Sequence, residues 1–285
     1  MLGISQTTIE LFLLNCLMAY SAYVVLTGGA FSFAYVAFIG TGAYIAGVGT
    51  VHHGFTFVES LVIAPIVCAI AAAIIAQPLE RLSGVYLAIA SVSLVGLFQV
   101  LLINLEGVTG GALGVVAIPL WTTDVVLFVA VVIVAAAMWL IARSRLGSEI
   151  RAMRVDPIVA QSMGVDVPRL KLGLFVGSAF LAAIAGVLRA YYFGYVVPGD
   201  YGFNLVILLL AMVIIGGVGS WPGPLIGAAI FTLLPEWLEP LGEWRNLVTG
   251  ALLLLIVIVS REGVLGALHQ WFYRLRARTP VTEEG

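Results

Sequence analysis

Long apolar runs, separated by glycine, proline or charged residues, are the feature that most restricts what this chain can form. A transmembrane helix needs about 20 mainly apolar residues to cross a hydrocarbon layer of about 30 Å. The runs predict an all-α polytopic membrane protein with about nine transmembrane segments, or eight to ten by the same criterion. The nine segments are residues 9–26, 31–48, 61–76, 85–103, 125–142, 172–192, 203–215, 225–238 and 247–260.

Composition agrees with this fold class. The chain is 62% apolar and only 10% charged, whereas a soluble domain is about half apolar and a quarter charged. So many segments leave no room for a separate soluble domain, which predicts one membrane domain over residues 1–285. The N-terminus lacks the basic stretch of a cleavable signal, so the first segment is expected to remain as a span. Cys16 and Cys68 both lie in apolar runs, which argues against a disulfide framework or a metal site.

The placement of Lys and Arg predicts the orientation. With the polar loop 143–171 in the cytoplasm, nine segments put every basic residue except Arg189 and Arg245 on that side. The positive-inside rule then gives an outside N-terminus and a cytoplasmic tail, 261–285. No residue of fixed charge lies near the middle of a predicted segment, and Arg189 is expected to extend to the membrane interface.

The loop 143–171 is predicted to contain two short helices rather than disordered chain. Asp156 suits the position that caps the second helix, Pro157 suits its first turn, and Gly164 suits the left-handed residue that ends it. A structured helix between two spans could transmit movement from a soluble motor. The alternative is a solvated loop whose basic residues only set the topology.

Three glycine clusters, at 27–29, 109–114 and 216–224, interrupt or flank the segments. Such breaks can turn backbone groups toward a solute cavity. They can equally mark tight turns and close helix contacts, with Gly40, Gly42 and Gly47 as small contact residues. The cluster 109–114 lies in a loop, which favours a functional re-entrant turn there.

Uncharged polar residues within or beside the segments are the candidates for a solute pathway. Serine hydroxyls usually bond back to their own helix, so each alone is a weak candidate. The candidates are Asn15, Ser32, Ser91, Ser93, Gln99, Thr109, Gly110, Gly111 and Gly114.

No energy source is recognisable in the sequence. The only lysine, Lys171, lies in PRLKLG and not in a Gly-rich phosphate-binding loop. The segments carry no chain of acidic or histidine residues of the kind that relays protons. Energy for uphill transport would come from another subunit, or from a sodium site built of neutral oxygens.

Several motifs resemble those of the LivM-type permeases of branched-chain (hydrophobic) amino-acid ABC importers. The resemblance covers about residues 27–236, and its most specific part is the loop 143–171. The motifs, in order, are FSFAYVAFIGTGAY, RLSGVYLAIASVSL, VTGGALGV, SRLGSEIRAMRVDPIVAQSMGVDVPRLKLGLFVGSAFLAAIAGVL and GGVGSWPGPLIGAAIFTLLPE.

The resemblance implies a permease subunit that performs no bond chemistry and holds no cofactor. Its implied partners are a homologous LivH-like permease, two cytoplasmic ATPases that carry ATP and Mg, a solute-binding protein and the bilayer, but no nucleic acid. It also implies a bacterial or archaeal inner membrane, with 156–164 as the helix that contacts an ATPase. The implied coupling residues are Arg154, Asp156, Pro157, Ala160 and Gly164.

The sequence departs from the family pattern at three places. Ile158 stands where the coupling signature usually has Glu, Ala34 where a His is common, and Ser91-Val92 where Thr-Leu is common. The expected solute is a small net-neutral molecule, with an aliphatic amino acid first and urea or a short amide second. The alternatives of another class are a stand-alone secondary carrier or channel, and a membrane scaffold that transports nothing.

Overall fold

The computed structural model describes residues 6–79, 82, 84–238 and 250. Within these ranges the chain forms eleven α-helices, and the extended pairing there is one isolated antiparallel bridge, Val115 to Val196. The helices are α1 (Gln6–Thr27), α2 (Tyr35–His53), α3 (Phe57–Leu79), α4 (Val85–Asn104), α5 (Glu106–Thr109), α6 (Asp124–Arg143), α7 (Arg145–Val155), α8 (Pro157–Ser162), α9 (Val167–Phe193), α10 (Phe203–Gly216) and α11 (Gly223–Trp237).

Five helices of the described chain, α1, α3, α4, α6 and α9, are long and apolar enough to cross a membrane. The prediction of an all-helical polytopic membrane protein is therefore confirmed. The first eight predicted segments coincide with α1, α2, α3, α4, α6, α9, α10 and α11, in that order. The ninth segment, 247–260, the tail 261–285, and both Arg81 and Arg245 lie outside the described residues.

The centre of the bundle is α1, which is largely surrounded by protein, whereas most of α4 is exposed. Helix α9 packs against α1, α2 and α3. Small residues allow this close approach, because a Cβ added at Gly42 would meet the Cα of Ala183 at 2.6 Å. This confirms close packing as the role of Gly42. Gly40 and Gly47 face side chains of neighbouring segments.

The bundle has two ends, which we call the loop end, where α7 and α8 lie, and the opposite end. At the opposite end Nε2 of Gln6 donates a 2.7 Å hydrogen bond to Asp124, and the hydroxyl of Tyr192 donates a 2.8 Å bond to Glu10. These bonds bring together the start of α1, the start of α6 and the end of α9. Helices α1 and α6 therefore run in the same direction, and α9 runs antiparallel to both.

After α9 the chain turns at Gly194, where φ is +74°, and runs back along α2. We call residues 194–202 the re-entrant segment. Val196 lies 3.6 Å from the Cβ position of Gly47, and the ring of Tyr201 lies 6.5 Å from that of Tyr44, the tenth of the 19 residues of α2. Helix α10 thus begins about halfway along α2, and this explains its length of only 14 residues.

The glycine cluster 216–224 forms a tight connection between α10 and α11. A Cβ at Gly216 would overlap the backbone of Gly223, and a Cβ at Gly227 would overlap the carbonyl of Met212. Backbone contact between the two helices therefore requires glycine at these positions. Close packing is confirmed for this cluster.

Candidate functional site

The loop between α6 and α9 has the local structure that the sequence predicts. Oδ1 of Asp156 accepts hydrogen bonds from the N–H groups of Ile158 at 2.8 Å and Val159 at 3.2 Å, so it caps α8. Pro157 occupies the first turn, and Gly164 has a left-handed φ of +88° just after the helix. The two predicted short helices are confirmed as α7 and α8.

Helix α8 has one anchored face and one exposed face. Ala160 is buried with Met153 of α7 and Val167 of α9 in a small apolar cluster. Large apolar groups are exposed nearby, with Ile158 of α8 at 78% and Met163, the residue that follows α8, at 77% of their full surface. Since an exposed apolar patch on a structured element usually marks a contact surface, α8 is suited to bind another protein.

Arg154 lies where two of the predicted glycine clusters meet the loop. Its Cα is 3.9 Å from the Cβ position of Gly29, and its Nη1 is 3.7 Å from that of Gly219. The Cβ position of Gly28, next to Gly29, lies 3.1 Å from Cε of Met153. A displacement of α7 and α8 would therefore press on the α1–α2 and α10–α11 connections.

A mainly apolar cavity of about 570 Å³ opens beside this contact. It lies between the loop-end halves of α1, α6 and α9, the helix α7, and the α10–α11 connection. Its polar groups are few and include Thr27, Arg151 and Ser220. Nη1 of Arg151 donates a 2.9 Å hydrogen bond to the carbonyl of Ala142, so its guanidinium is fixed to the end of α6.

Two of the predicted pathway residues, Ser32 and Ser91, also lie near the loop end. Ser32 lines a second cavity of about 220 Å³ together with Lys171, and its buried hydroxyl has no hydrogen-bond partner in the described chain. Ser91 is buried, accepts a 2.9 Å bond from the N–H of Phe33 and donates to the carbonyl of Ala88. It therefore fixes the α1–α2 connection.

A second group of pathway candidates lies toward the opposite end. Nε2 of Gln99 donates a 2.9 Å hydrogen bond to the carbonyl of Pro198 in the re-entrant segment. Thr109 is buried and donates to the carbonyl of Leu102 at 2.6 Å. The rest of this group is the cluster of left-handed glycines, Gly110, Gly111 and Gly114.

The left-handed glycines bring their loop onto the re-entrant segment. A Cβ at Gly114 would meet the Cα of Val197 at 2.9 Å, and the next residue, Val115, pairs with Val196. The re-entrant turn expected at 109–114 is thus a loop that packs on another re-entrant element, residues 194–202.

The remaining candidates stand apart from both groups. Nδ2 of half-buried Asn15 donates a 2.9 Å bond to Thr232 and links α1 to α11. Ser93 is exposed and bonds back to the carbonyl of Ile89 in its own helix. The nine candidates do not form one site, and their role in solute passage stays a prediction.

The side chain of Arg189 lies elsewhere than the sequence predicts. It does not extend to the interface, because it is only 16% exposed and points into the bundle. Nη2 lies 3.6 Å from Oδ2 of Asp200, and Nη1 lies 3.7 Å from the sulfur of Met18, at the thirteenth of 22 residues of α1. Although no charged residue lies near the middle of a predicted segment, the side chain of Arg189 reaches the level of the middle of α1.

Asp200 is a residue that the sequence analysis missed. It lies in the short connection between two apolar segments, where a charged residue is ordinarily assigned to solvent. One signal was available, since the seventh segment, 203–215, is too short to cross a membrane by itself. A half-length helix next to Pro198, Gly199 and Gly202 is typical of chain that re-enters the bundle.

A polytopic helical bundle with glycine-broken helices and a short capped helix on one loop has the architecture of a transport permease. The chain belongs to the family described as branched-chain amino acid transport system / permease component, whose sequence profile matches residues 6–257. No solved structure shows a significant match to the chain.

Curated relatives carry the same description. The permease protein LivM of the high-affinity branched-chain amino acid transport system is 30% identical over 276 aligned residues, both in Salmonella typhimurium and in Escherichia coli K12. The alignment covers 85% of this chain and 65% of each relative, so the chain spans about two-thirds of their length. LivH of Salmonella typhimurium is 34% identical over 127 residues, which cover 43% of this chain and 40% of LivH.

Proposed function

We propose that this chain is the membrane-spanning permease subunit of an ATP-binding-cassette importer for small net-neutral solutes. Branched-chain or aliphatic amino acids are the first candidates for the solute. The observation that carries the proposal is α8, a capped helix that is anchored to the spans and exposes Ile158 and Met163. A loop that only set the topology would need neither the cap nor the apolar face. Family membership points to the same function.

The proposed partners are a homologous second permease of the LivH type, two ATPases that bind ATP and Mg, and a solute-binding protein. In this mechanism each permease presents its α8 to an ATPase. Closure of the ATPase pair on ATP draws the two α8 helices together. Because Arg154 contacts both the α1–α2 and the α10–α11 connections, this movement would switch the spans between outward-facing and inward-facing states.

The proposed setting is a bacterial or archaeal inner membrane, with the loop end in the cytoplasm and the N-terminus outside. Arg143, Arg145, Arg151 and Arg154 all belong to the loop end, as the positive-inside rule requires. The proposed organisation is one membrane domain over 1–285 that contains the coupling loop 143–171 and the cytoplasmic tail 261–285. The proposed span count is nine, with α10 as a half-span completed by the re-entrant segment.

The first test is uptake by the complex reconstituted in proteoliposomes, with ATP inside and the loaded binding protein outside. Leucine, urea, glutamate and arginine are compared, at equal concentration, as competitors for this uptake. We expect leucine to compete best, because a permanently charged solute would cross a low-dielectric path at a cost of several kcal/mol. If urea competes best, the importer is of the amide type, and if glutamate or arginine does, the proposed solute class is wrong.

A second test concerns α8. Ile158→Lys places a positive charge on this exposed apolar position, opposite in sign to the Glu that is usual there in the family, and is expected to abolish ATPase binding. Ile158→Leu keeps the volume and apolar character and should retain it. The measurement is co-purification of the ATPases with the permease pair. Equal co-purification with both variants would contradict the role of α8.

The stand-alone carrier or channel is tested in the same vesicles. A carrier of this kind would move leucine without the ATPases and would respond to a sodium or proton gradient. Uptake that requires ATP and all the partner subunits would exclude it.

A further inference from the structure

The ion pair of Arg189 and Asp200 lies deep in the bundle. Tyr201, next to Asp200, has its Cβ 3.1 Å from the Cβ position of Gly40, the sixth of the 19 residues of α2. At 1.5 Å per residue α2 is about 28 Å long, close to the thickness of a hydrocarbon core. The re-entrant segment therefore carries Asp200 to about the middle depth of the bundle.

Arg189 is poorly satisfied where it lies. A guanidinium has five N–H donors, and it usually binds carboxylates through two parallel hydrogen bonds. In the described chain its contacts are one 3.6 Å approach to Asp200, one 3.7 Å approach to the sulfur of Met18, and the faces of Phe193 and Tyr201 at 5.4 and 5.3 Å. The distance to Asp200 is too long for a good hydrogen bond. Aromatic rings hold the cation in place, and the described part of the chain leaves most of its N–H donors available to another anion.

Asp200 is more open than its partner. Its side chain is 38% exposed, and Gly199 and Asn204 beside it are also exposed. Lipid is an unfavourable neighbour for this surface, because an ionised side chain in the middle of a bilayer costs about 2.5–3.5 kcal/mol on the insertion scale. A water-filled path fits the exposure better. Charged residues at this depth usually mark a route for solute or ions.

A third polar group lies close by without a partner. The hydroxyl of Tyr44 is buried and makes no hydrogen bond within the described chain, and its ring lies against Tyr201. A buried hydroxyl usually has a hydrogen-bond partner, which here would be water or a ligand. This hydroxyl thus belongs to a residue packed beside Tyr201, the neighbour of Asp200, at about the level of the ion pair.

We propose that Arg189 and Asp200 form a binding site for the zwitterionic end of an amino acid on its way through the permease, Arg189 taking the carboxylate and Asp200 the ammonium group. The opposite charges of the solute match those of the pair, so binding leaves no net charge at this depth. The solute replaces the long direct contact between the two side chains with two charge-assisted hydrogen bonds. This inference rests on the proposed function and deepens it from a solute class to a site.

The test uses the complete complex in proteoliposomes and measures two quantities, ATP-driven leucine uptake and stimulation of ATP hydrolysis by the loaded binding protein. The variants are Arg189→Gln, Asp200→Asn and the neutral double variant. We expect each to lower uptake by about tenfold or more while the stimulated hydrolysis persists. The control is Glu59→Gln, which removes an exposed carboxylate near the opposite end and should import at the wild-type rate.

The double variant separates binding from a structural ion pair. If the pair only stabilises the fold, removing both charges leaves no unpaired buried charge, so uptake should recover relative to the single variants. If the pair binds the solute, the double variant stays defective. Recovery, or near-normal uptake by all three variants, would overturn the proposal.

Arg189→Lys tests the binding site even if the neutral variants fail to assemble. It keeps the charge and the attraction to Asp200 but loses the planar fork that binds a carboxylate through two bonds. We expect normal assembly with a KM for leucine raised several-fold, and an unchanged KM would contradict the site. A wild-type complex that imports no amino acid with ATP would instead refute the proposed function, and the inference would fall with it.

Discussion

The hydroxyl oxygen of Ser91 accepts a 2.9 Å hydrogen bond from the backbone N–H of Phe33, 58 positions earlier in the chain. This bond fastens α4 to the connection between α1 and α2. Ser93, two positions further along α4, is exposed, and among the described residues it bonds only to Ile89 of its own helix. The two serines look equivalent in the sequence, but only Ser91 bridges two parts of the fold.

Replacing these serines by alanine should therefore have unequal effects. Ser91→Ala leaves the N–H of Phe33 without a partner and should lower stability by about 1–3 kcal/mol. Ser93→Ala removes a bond within one helix at an exposed position, so we expect a change within about 0.5 kcal/mol. The measurement is the apparent melting temperature of the purified permease pair. Equal shifts would show that the bond to Phe33 contributes nothing.

Gln99 should stabilise the re-entrant segment. Gln99→Met removes the 2.9 Å bond to the carbonyl of Pro198 at similar volume, so we expect a loss of about 1 kcal/mol. Gly202→Ala should act on the same contact, because its new Cβ would lie 2.6 Å from Nε2 of Gln99. The two changes address one interaction, so their effects on the melting temperature should be less than additive. Fully additive shifts would argue against a shared contact.

Local signals in the sequence predicted much of the fold. Apolar runs of about 20 residues located the long helices, because length and hydropathy are sufficient for a membrane span. The cap at Asp156 and the left-handed Gly164 were also predictable, since both depend only on neighbouring residues.

The arrangement of polar residues was not predictable in the same way. Asp200 reaches the middle of the bundle because the chain reverses after Gly194, and no local pattern states how deep such a reversal goes. Arg189 was expected to reach the interface because its position in α9 is near the end, but the direction of its side chain depends on Met18 and Tyr201 from other elements. The positions of these two charged side chains therefore depend on contacts that are distant in sequence.

The orientation can be tested with single cysteines. In a background without Cys16 and Cys68, cysteines at Thr7, Glu149 and Thr279 are exposed in turn to an impermeant thiol reagent on intact cells. We expect labelling at Thr7 alone, because the proposed topology places the other two in the cytoplasm. Labelling after permeabilisation provides the control that each cysteine is reactive. Labelling of position 149 or 279 in intact cells, but not of position 7, would reverse the arrangement.

The last prediction concerns Gly164, which follows α8 with φ of +88°; no atom of the described residues lies within 4 Å of its Cβ position. A larger side chain would therefore meet no steric clash, so any effect comes from the backbone conformation alone. Gly164→Val forces a β-branched residue into the left-handed region, at a cost on the order of 1–2 kcal/mol, and should distort the end of α8. Gly164→Asn is the matched control, because asparagine tolerates this conformation. We expect the valine variant to assemble but to lose stimulation of ATP hydrolysis by the binding protein, while the asparagine variant retains it. Wild-type stimulation and uptake in the valine variant would leave α8 as a structural feature of the loop without a role in coupling.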